Sequence, residues 1–394
     1  MRPRSILVLT HELPPLGGGA GRAMAQLCSA LAETGVAITV WTQEPPAAVR
    51  KDFPFHVRYF ATGRKLQFQT NVSTILLYSA RILFSGLMLG KHKPDLILSN
   101  TGIPTGCVGA FLGLMLGVPN AIWYHGADVH ENRVQGAGPL YRLMLKLAWR
   151  NTALHCFVAK GLLKMAEGYG GMRTPRMVLP LFADHLVPVG PAPSEGAGTS
   201  ARPGARPDAG RPRVFLFTGR LEKVKDPFLF LRAIGILKAG GKLPADVSFR
   251  ILGGGDLFEP LRAGIARAGL SAVVALDPPV PGDSMAKVYG SAYALVLTSV
   301  VEGFPLTILE AALCGVPSIG SDTLGVNEEI VDGRNGLLFP KDDASACAAV
   351  MLRLIEDPAL RESLGRGSRA AAMELSSRKS AALFLEAVET HIGA

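Results

Sequence analysis

Residues 296–317 read VLTSVVEGFPLTILEAALCGVP. The apolar start predicts a strand, Gly303 and Pro305 predict a turn, and a helix is predicted to begin near Leu306 or Thr307. A strand followed by a turn and a helix is the repeating unit of parallel α/β sheets. Because the first amides of a helix lack intrahelical acceptors and carry the positive end of its dipole, this turn is suited to phosphate or hydroxyl oxygens.

Two carboxylates flank the same turn. Glu302 precedes the helix and Glu310 lies in its first turns. A carboxylate accepts two hydroxyl hydrogen bonds at once, so each side chain suits a sugar diol. The alternative is that Glu302 only shapes the turn and Glu310 only stabilises the helix dipole. The backbone predicted to face the ligand runs through Gly303, Phe304, Pro305, Leu306 and Thr307.

The strand and helix rhythm extends through both halves of the chain. Apolar runs alternate with helical periods, which predicts an α/β fold with two Rossmann-like, doubly wound, mostly parallel sheets. Residues 188–212 interrupt this rhythm and are rich in Pro, Gly, Ala and Ser, as linkers are. The predicted organisation is an N-terminal domain over 1–187, the linker over 188–212, a C-terminal domain over 213–372, and a helical segment over 373–394 that can pack back on the first domain.

Composition narrows the class of protein. The 394 residues are 48% hydrophobic and 19% charged, which suits two packed domains. The formal charge of +9 favours anionic partners. Nucleic acid is the weaker candidate, because aromatic residues do not interleave with basic runs and no recognition helix or zinc-finger spacing occurs.

The cysteines and the apolar runs indicate a cytoplasmic protein. The five cysteines are scattered and never form CxxC, which argues against a disulfide framework or a zinc site. The N-terminal apolar run is too short for a signal peptide. Residues 101–124 carry no charge and are long enough to cross a bilayer, but Pro104 and Pro119 divide them. We expect a buried helix and a strand there.

A second strand, turn and helix start carries cations. Residues 217–227 read FTGRLEKVKDP, with Gly219 at the turn and Arg220 and Lys225 placed where a diphosphate would lie. A departing diphosphate needs either a metal ion or cationic side chains to balance its charge. The chain has no Asp-x-Asp pair, so no metal and no other cofactor is expected. The alternative is that Lys223 and Lys225 form a solvated face.

Two further loops of the first domain follow predicted strands. The loop over residues 11–22 is glycine-rich and includes Gly18 and Gly19, but it is neither GxGxxG nor a P-loop, and it can equally be a tight turn. A helical run is predicted behind it over residues 20–33, with its amphipathic part over residues 23–31. His125 ends the strand over 121–124, where a lone histidine is more often structural than catalytic.

The segment from Glu302 to Glu310, EGFPLTILE, resembles glycosyltransferase family 4, a group of retaining GT-B enzymes with two glutamates separated by seven residues. The resemblance implies two Rossmann-like domains facing across a cleft. It implies that the first glutamate contacts the donor sugar and the second the ribose. It also assigns catalytic roles to His125, Arg220, Lys225 and Glu302, and donor-binding roles to Gly18, Gly19, Gly219, Gly303, Phe304, Pro305, Leu306, Thr307 and Glu310.

The implied activity is transfer of a sugar from a nucleotide diphosphate sugar to an acceptor, with retention and without a metal. Residues 180–184 and 277–282 depart from the family pattern, and the second departure leaves the nucleotide undecided. Two alternatives stay open. A nucleotide-sugar epimerase shares the diphosphate site but needs no acceptor, and a non-catalytic two-domain binding protein or an NAD enzyme needs neither paired glutamate.

A basic stripe gives the only indication of the acceptor. Arg142, Lys146 and Arg150 recur at helical spacing beside apolar residues, and three more cations lie near another apolar helix, at Arg81, Lys91 and Lys93. Such a surface can dock on anionic lipid at the inner face of the cell membrane, which favours a lipid-linked or polysaccharide acceptor. A plain solvated helix face is the alternative.

Overall fold

The computed structural model describes residues 2–45, 50–63, 72–126, 128–129, 139–186 and 212–393. The chain divides into two compact units. The first comprises Met1–Asp184 with Leu375–Ala394, and the second comprises His185–Glu374. All of the predicted linker except its last residue lies outside the described residues.

The first unit is built on a seven-stranded parallel sheet. Its strands are β1 (Ser5–Leu9), β2 (Ala37–Gln43), β3 (His56–Phe60), β4 (Leu96–Asn100), β5 (Asn120–Tyr124), β6 (Leu154–Phe157) and β7 (Arg176–Val178). They lie in the order β3-β2-β1-β4-β5-β6-β7. Its helices are α1 (Gly19–Glu33), α2 (Val72–Leu87), α3 (Cys107–Leu116), α4 (Pro139–Arg150) and α5 (Lys160–Gly168).

The second unit repeats the plan with a six-stranded parallel sheet. Its strands are β8 (Arg213–Thr218), β9 (Val247–Leu252), β10 (Val274–Asp277), β11 (Ala294–Leu297), β12 (Ser318–Asp322) and β13 (Gly336–Pro340), in the order β10-β9-β8-β11-β12-β13. Its helices are α6 (Pro227–Ala239), α7 (Phe258–Arg267), α8 (Met285–Gly290), α9 (Leu306–Leu313), α10 (Val326–Glu329), α11 (Ala344–Glu356) and α12 (Pro358–Met373). The predicted α/β fold with two doubly wound sheets is confirmed.

Both strand orders reverse direction at one place. The chain moves outward from β1 to β2 and β3, then returns to add β4 on the other side of β1, and it does the same around β8 and β11. In open parallel sheets, ligands bind beyond the carboxyl ends of the strands at such a reversal. The fold therefore marks the ends of β1 and β4, and those of β8 and β11, as the places to look for a site.

The last helix, α13 (Ser377–His391), belongs to the first unit. It packs along α1 and buries Phe384 and Leu385. The backbone amide of Ser377 donates to Oδ2 of Asp184 at 2.7 Å. The C-terminal end of the chain thus completes the domain that the N-terminal end begins.

The uncharged segment over residues 101–124 separates into helix α3 and strand β5, as predicted. None of the helices in the described part of the chain is long and apolar enough to span a bilayer. The expectation that the helix is buried is wrong in part. Phe111, Leu114 and Met115 of α3 are exposed, because only the side of α3 that faces the sheet is covered.

Three local differences separate the structure from the sequence prediction. Strands β3 and β13 were not predicted, and the residues of β3 alternate between exposed and partly buried, as expected at a sheet edge. Helix α1 begins at Gly19, one residue before the predicted helical run over Ala20–Glu33 and four before its predicted amphipathic part. A helix start at glycine carries no apolar signal, which explains the shifted boundary.

Candidate active site

The strand reversal of the second unit brings two predicted loops together. Strand β8 ends at Thr218 and leads to Arg220 and Lys225, while the neighbouring strand β11 ends at Leu297 and leads to Glu302. Because both loops leave the carboxyl ends of adjacent strands, Lys225 and Glu302 meet at the position where ligands bind in such sheets, whereas Arg220 pairs with Glu222.

Lys225 and Glu302 form a direct ion pair. Nζ of Lys225 donates to Oε1 of Glu302 at 2.5 Å, and Oγ of Ser299 donates to the same oxygen at 2.6 Å. The side chains are 22% and 10% exposed, respectively. Two donors on one oxygen, in a place with little solvent, fix the orientation of the Glu302 carboxyl group. Ser299 is a site residue that the sequence analysis missed.

Hydrogen bonds to backbone carbonyl groups hold these two loops against each other. Oγ1 of Thr298 donates to the carbonyl oxygens of Lys225 and Asp226, at 3.0 and 2.7 Å. The amide of Val300 donates to the carbonyl oxygen of Val224 at 2.9 Å. Asp226 then caps α6 by accepting from the amide of Leu229. The position of the Lys225 side chain is therefore set by the strand end that also carries Glu302.

The loop after β12 supports the Glu302 turn from the other side. The amide of Glu302 donates to the carbonyl oxygen of Leu324 at 3.1 Å, and Oγ1 of Thr323 donates to the carbonyl oxygen of Val300 at 2.7 Å. Gly325 has a φ of 82°, and a Cβ there would lie 2.6 Å from the carbonyl oxygen of Glu302. Only glycine fits this approach without moving the turn.

The N-terminus of α9 has no side-chain cap. The helix begins at Leu306, and Pro305 stands at its N-cap. Phe304 and Thr307 are half-buried beside it. The first amides of an uncapped helix have no intrahelical acceptor and face the positive end of the dipole, so they suit phosphate oxygens.

Glu310 lies deeper than the sequence indicated. Its side chain is on the inner face of α9, is 2% exposed, and accepts at Oε2 from the hydroxyl of Tyr289 at 2.6 Å. Tyr289, on α8, is a second residue that the sequence analysis missed. A ribose contact by Glu310 therefore has to share the carboxylate with this tyrosine.

Arg220 is more exposed to solvent than Lys225. Its side chain is 62% exposed and pairs with Glu222 at 2.8 Å. Gly219 precedes it with a φ of 143°, a conformation that favours glycine. A Cβ on Gly253 would lie 1.9 Å from the carbonyl oxygen of Gly219, so the loops after β8 and β9 touch through backbone.

The first unit places His125 at the end of β5. Its Nε2 lies 2.6 Å from Oδ1 of Asn100, whose Nδ2 donates to Oγ1 of Thr10 at 2.9 Å. That chain of donors puts the imidazole proton on Nε2. Burial, with a smaller contribution from nearby His11, lowers the pKa of His125 to about 3. The ring is therefore neutral at physiological pH.

The other ring nitrogen of His125 is an available acceptor. Nδ1 is buried and has no hydrogen-bond partner among the described residues. A neutral imidazole with its proton on Nε2 accepts a hydrogen bond at Nδ1. Asn100, which sets this tautomer, ends the buried strand β4, and its position at a strand end was the signal that could have identified it.

A buried aspartate ties the loops after β4 and β5 together. Asp128 accepts from the amide of Gly102 at 2.7 Å and from the amide of Gly126 at 3.1 Å. Burial raises the pKa of Asp128 in spite of these hydrogen bonds. Asp128 therefore fixes the backbone directly after His125, a role that the sequence analysis did not assign.

The glycine loop at α1 already binds a carboxyl group of the same loop. Gly18 stands at the N-cap, and its amide donates to Oε2 of Glu12 at 3.2 Å. Gly17 has a φ of 85°, and a Cβ there would meet Glu12. The predicted donor contact of Gly18 therefore requires a ligand that displaces or shares the Glu12 carboxyl group.

Glu329 is an unpredicted carboxyl group next to the Glu302 turn. It ends helix α10, and both of its carboxyl oxygens are buried without a hydrogen-bond partner among the described residues. Burial, followed by the negative charges of Glu302 and Glu328, raises the pKa of Glu329 well above its usual range. A buried carboxyl without a cationic partner is more stable when protonated.

Replacing Glu329 by glutamine is expected to raise the melting temperature by about 2–4 °C, and by more at pH 8 than at pH 5. The folded-state pKa exceeds the unfolded-state value, so the free energy of unfolding of the native protein falls as the pH rises above about 4.5. Glutamine keeps the shape and removes the ionisation. Calorimetry of both proteins across this range checks the effect, and an identical pH dependence would contradict it.

Two family models match the chain and together cover most of it. "Glycosyl transferase 4-like domain" matches residues 18–181. "Glycosyl transferases group 1" matches residues 204–371, which include the Lys225 and Glu302 loops.

Individual relatives agree with these models. D-inositol 3-phosphate glycosyltransferases from Arthrobacter sp. (strain FB24) and Paenarthrobacter aurescens (strain TC1) are 34% and 35% identical over 191 and 186 residues. These matches span 47% and 46% of this chain, but only 45% and 44% of the length of the relatives.

Solved structures show the same fold over nearly the whole chain. HepE from Anabaena, in complex with UDP and glucose, has a TM-score of 0.75 at 19% identity and covers 98% of this chain and 100% of its own. Sucrose-phosphate synthase from Thermosynechococcus elongatus has a TM-score of 0.78 at 19% identity and covers 99% of each chain. With its two matching domains and this fold, the chain belongs to the GT-B glycosyltransferases that join a 4-like domain to a group 1 domain.

Proposed function

We propose that the protein transfers a sugar from a nucleotide diphosphate sugar to an acceptor hydroxyl, with retention of the anomeric configuration. The observation that carries the proposal is the Lys225–Glu302 pair, which lies at the strand reversal and next to the turn that opens α9. A cation, an oriented carboxylate and free helix amides are what a sugar diphosphate requires. Relatives named glycosyltransferases, and a similar fold solved with UDP and glucose, support it.

The proposed reaction proceeds on one face of the sugar. The bond between the anomeric carbon and the diphosphate oxygen breaks, and the acceptor oxygen bonds to that carbon from the same side. The acceptor proton passes to the departing diphosphate. Lys225, Arg220 and the first amides of α9 stabilise the negative charge that develops on the leaving group, so the chemistry does not call for a metal ion.

Binding roles follow from the hydrogen bonds of the free protein. Glu302 is oriented by hydrogen bonds from Lys225 and Ser299, and we assign it to a donor-sugar hydroxyl. For His125 we assign a hydrogen bond from a substrate hydroxyl to Nδ1, since Nε2 is engaged by Asn100. Glu310 is assigned to the ribose, beside Tyr289.

The test is donor hydrolysis measured across several nucleotide sugars, with the released nucleotide identified. One nucleoside diphosphate should be released faster than the others, and an added acceptor should give a product with the donor's anomeric configuration by NMR. An epimerised nucleotide sugar formed without acceptor would favour the epimerase. Tight donor binding with no release from any donor would favour a non-catalytic binding protein.

We further propose that the protein works in the cytoplasm, at the inner face of an anionic membrane, on a lipid-linked or polysaccharide intermediate. Support comes from α4, where Arg142, Lys146 and Arg150 are exposed and no acidic residue occurs. Each basic residue near an anionic surface contributes about 1 kcal/mol of attraction.

Changing Arg142, Lys146 and Arg150 together to glutamate is expected to abolish co-sedimentation with phosphatidylglycerol vesicles at low salt. The matched control changes the exposed residues Lys242, Arg267 and Lys341 of the second unit to glutamate, which alters the net charge equally. Equal vesicle binding by both triple variants would remove the electrostatic contact from the proposal.

A further inference from the structure

Three neighbouring helices of the first unit expose an unusual amount of apolar surface. On α2, α3, α4 and the residue after α2, large apolar side chains are each at least 40% exposed: Leu76, Leu77, Phe84, Leu87, Met88, Phe111, Leu114, Met115, Leu143, Met144 and Leu147. Elsewhere in the described part of the chain, only Ile236, Val331, Met373 and Leu383 are comparably exposed. A concentration of this kind marks an interaction surface.

These side chains share one side of the sheet. Right-handed crossovers from β3 to β4, from β4 to β5 and from β5 to β6 place α2, α3 and α4 on one face, opposite α1. Helix α3 lies between the other two. At Gly86 a Cβ would lie 2.5 Å from Leu112, so α2 and α3 approach closely. We call this exposed side of α2, α3 and α4 the apolar face.

The charged residues of α2, α3 and α4 have one sign. Six basic side chains on these helices or in the turn after α2 are exposed: Arg81, Lys91, Lys93, Arg142, Lys146 and Arg150. Helices α2, α3 and α4 contain no acidic residue. The nearby Asp95 is engaged by the backbone amides of Arg4 and Ser5. On the described residues of these three helices, the charged side chains are therefore all cationic.

We infer that the apolar face inserts its side chains among the acyl chains of an anionic bilayer, with the surrounding lysines and arginines at the headgroups. Apolar burial together with attraction to anionic lipid is the combination that holds proteins in the membrane interface. Insertion of side chains into the bilayer goes beyond the electrostatic contact of the proposed function. It rests on that function only in one respect, namely that the same membrane would present the acceptor.

The charge pattern disfavours a second copy of the chain as the occupant. In a two-fold dimer the same patch meets itself, so the cations of one copy would face those of the other without an acidic partner on these helices. Anionic headgroups supply the missing negative charge. The bilayer therefore satisfies both the apolar and the basic parts of the surface.

A single tryptophan tests insertion directly. The three native tryptophans are at most 2% exposed, so the difference between the emission of Phe84→Trp and that of the unaltered protein reports on the apolar face. Phosphatidylglycerol vesicles should shift this added emission to shorter wavelength, and brominated acyl chains should quench it. Met373→Trp, on the second unit, is the matched control and should do neither. An unshifted and unquenched Phe84→Trp spectrum would overturn the inference.

A triple variant measures what the apolar face contributes. The variant changes one exposed residue of each helix to serine: Phe84, Leu114 and Leu143. It should lower partitioning onto vesicles at least about tenfold, even in high salt. Changing Ile236, Met373 and Leu383 to serine is the control. Donor hydrolysis in solution should be the same for both triple variants and the unaltered protein. Hydrolysis therefore tests the proposed activity separately from membrane binding.

Two outcomes would identify a different occupant. If the unaltered protein is a dimer in solution and the triple-serine variant is a monomer, the apolar face is an interface between copies. If the emission that Phe84→Trp adds to that of the unaltered protein is already blue-shifted and shielded from acrylamide without vesicles, the face is covered by protein. Either result overturns bilayer insertion, as does unchanged partitioning of the triple-serine variant.

Discussion

Replacing Lys225 by alanine is expected to lower turnover by about 10²–10³-fold while raising the donor KM by less than about tenfold. The ammonium group of Lys225 opposes charge that grows on the diphosphate only as the sugar bond breaks, so its main effect belongs to the transition state. In the free protein the same group neutralises Glu302, which the substitution leaves 10% exposed without its cation.

The control for this prediction is Lys223→Ala. Lys223 lies two residues earlier and is exposed. Steady-state nucleotide release should change less than about twofold for Lys223→Ala, because a solvated lysine contributes little to a distant charge. Losses of equal size in turnover and donor binding for Lys225→Ala would contradict a transition-state role, and equal effects of the two alanine variants would place the diphosphate elsewhere.

Replacing Glu302 by glutamine is expected to reduce kcat/KM by about 10²–10³-fold, because the amide keeps the shape but loses the charge. Oε1 of Glu302 accepts from both Lys225 and Ser299, so the carboxylate is aligned before substrate arrives. A neutral amide would present a donor where a hydroxyl requires an acceptor, and it would leave Lys225 without its partner.

A double-mutant cycle makes this second prediction specific. Lys225→Met combined with Glu302→Gln should lose much less than the product of the two single effects, because both residues belong to one ion pair. Glu259→Gln, at an exposed surface pair, is the control and should leave kcat/KM unchanged within about twofold. Strictly additive effects would show that Lys225 and Glu302 act independently.

The sequence predicted the sheets and the loops that carry Lys225 and Glu302, whereas the ion pair between these two side chains was not predicted. Each buried strand is a short apolar run, and the carboxyl ends of parallel strands meet at one edge. A residue just after β8 and one just after β11 are therefore expected to be close, and Lys225 and Glu302 are in contact. Local pattern and topology were sufficient to place these two loops.

The remaining features depend on partners that are distant in the chain. Tyr289 reaches Glu310 across 21 positions, and Asn100 reaches His125 across 25. No local pattern specifies such pairs, because tertiary packing determines them. The burial of Glu310 and the occupation of the Gly18 amide by Glu12 belong to the same class.

The exposed side of α3 was hidden from the sequence for another reason. Its residues are almost uniformly apolar, so their periodicity does not separate a face that packs on the sheet from one that meets solvent. Only the position of α3 between α2 and α4 shows which side stays uncovered.

The return of α13 to the first unit has a consequence for biosynthesis. The second unit is one continuous stretch of the chain, His185–Glu374, whereas the first is formed by Met1–Asp184 together with Leu375–Ala394. As the ribosome proceeds from the N-terminus, the second unit has all of its residues before the first does. The domain that is started earliest is thus finished last, when the helix beginning at Ser377 emerges and covers α1.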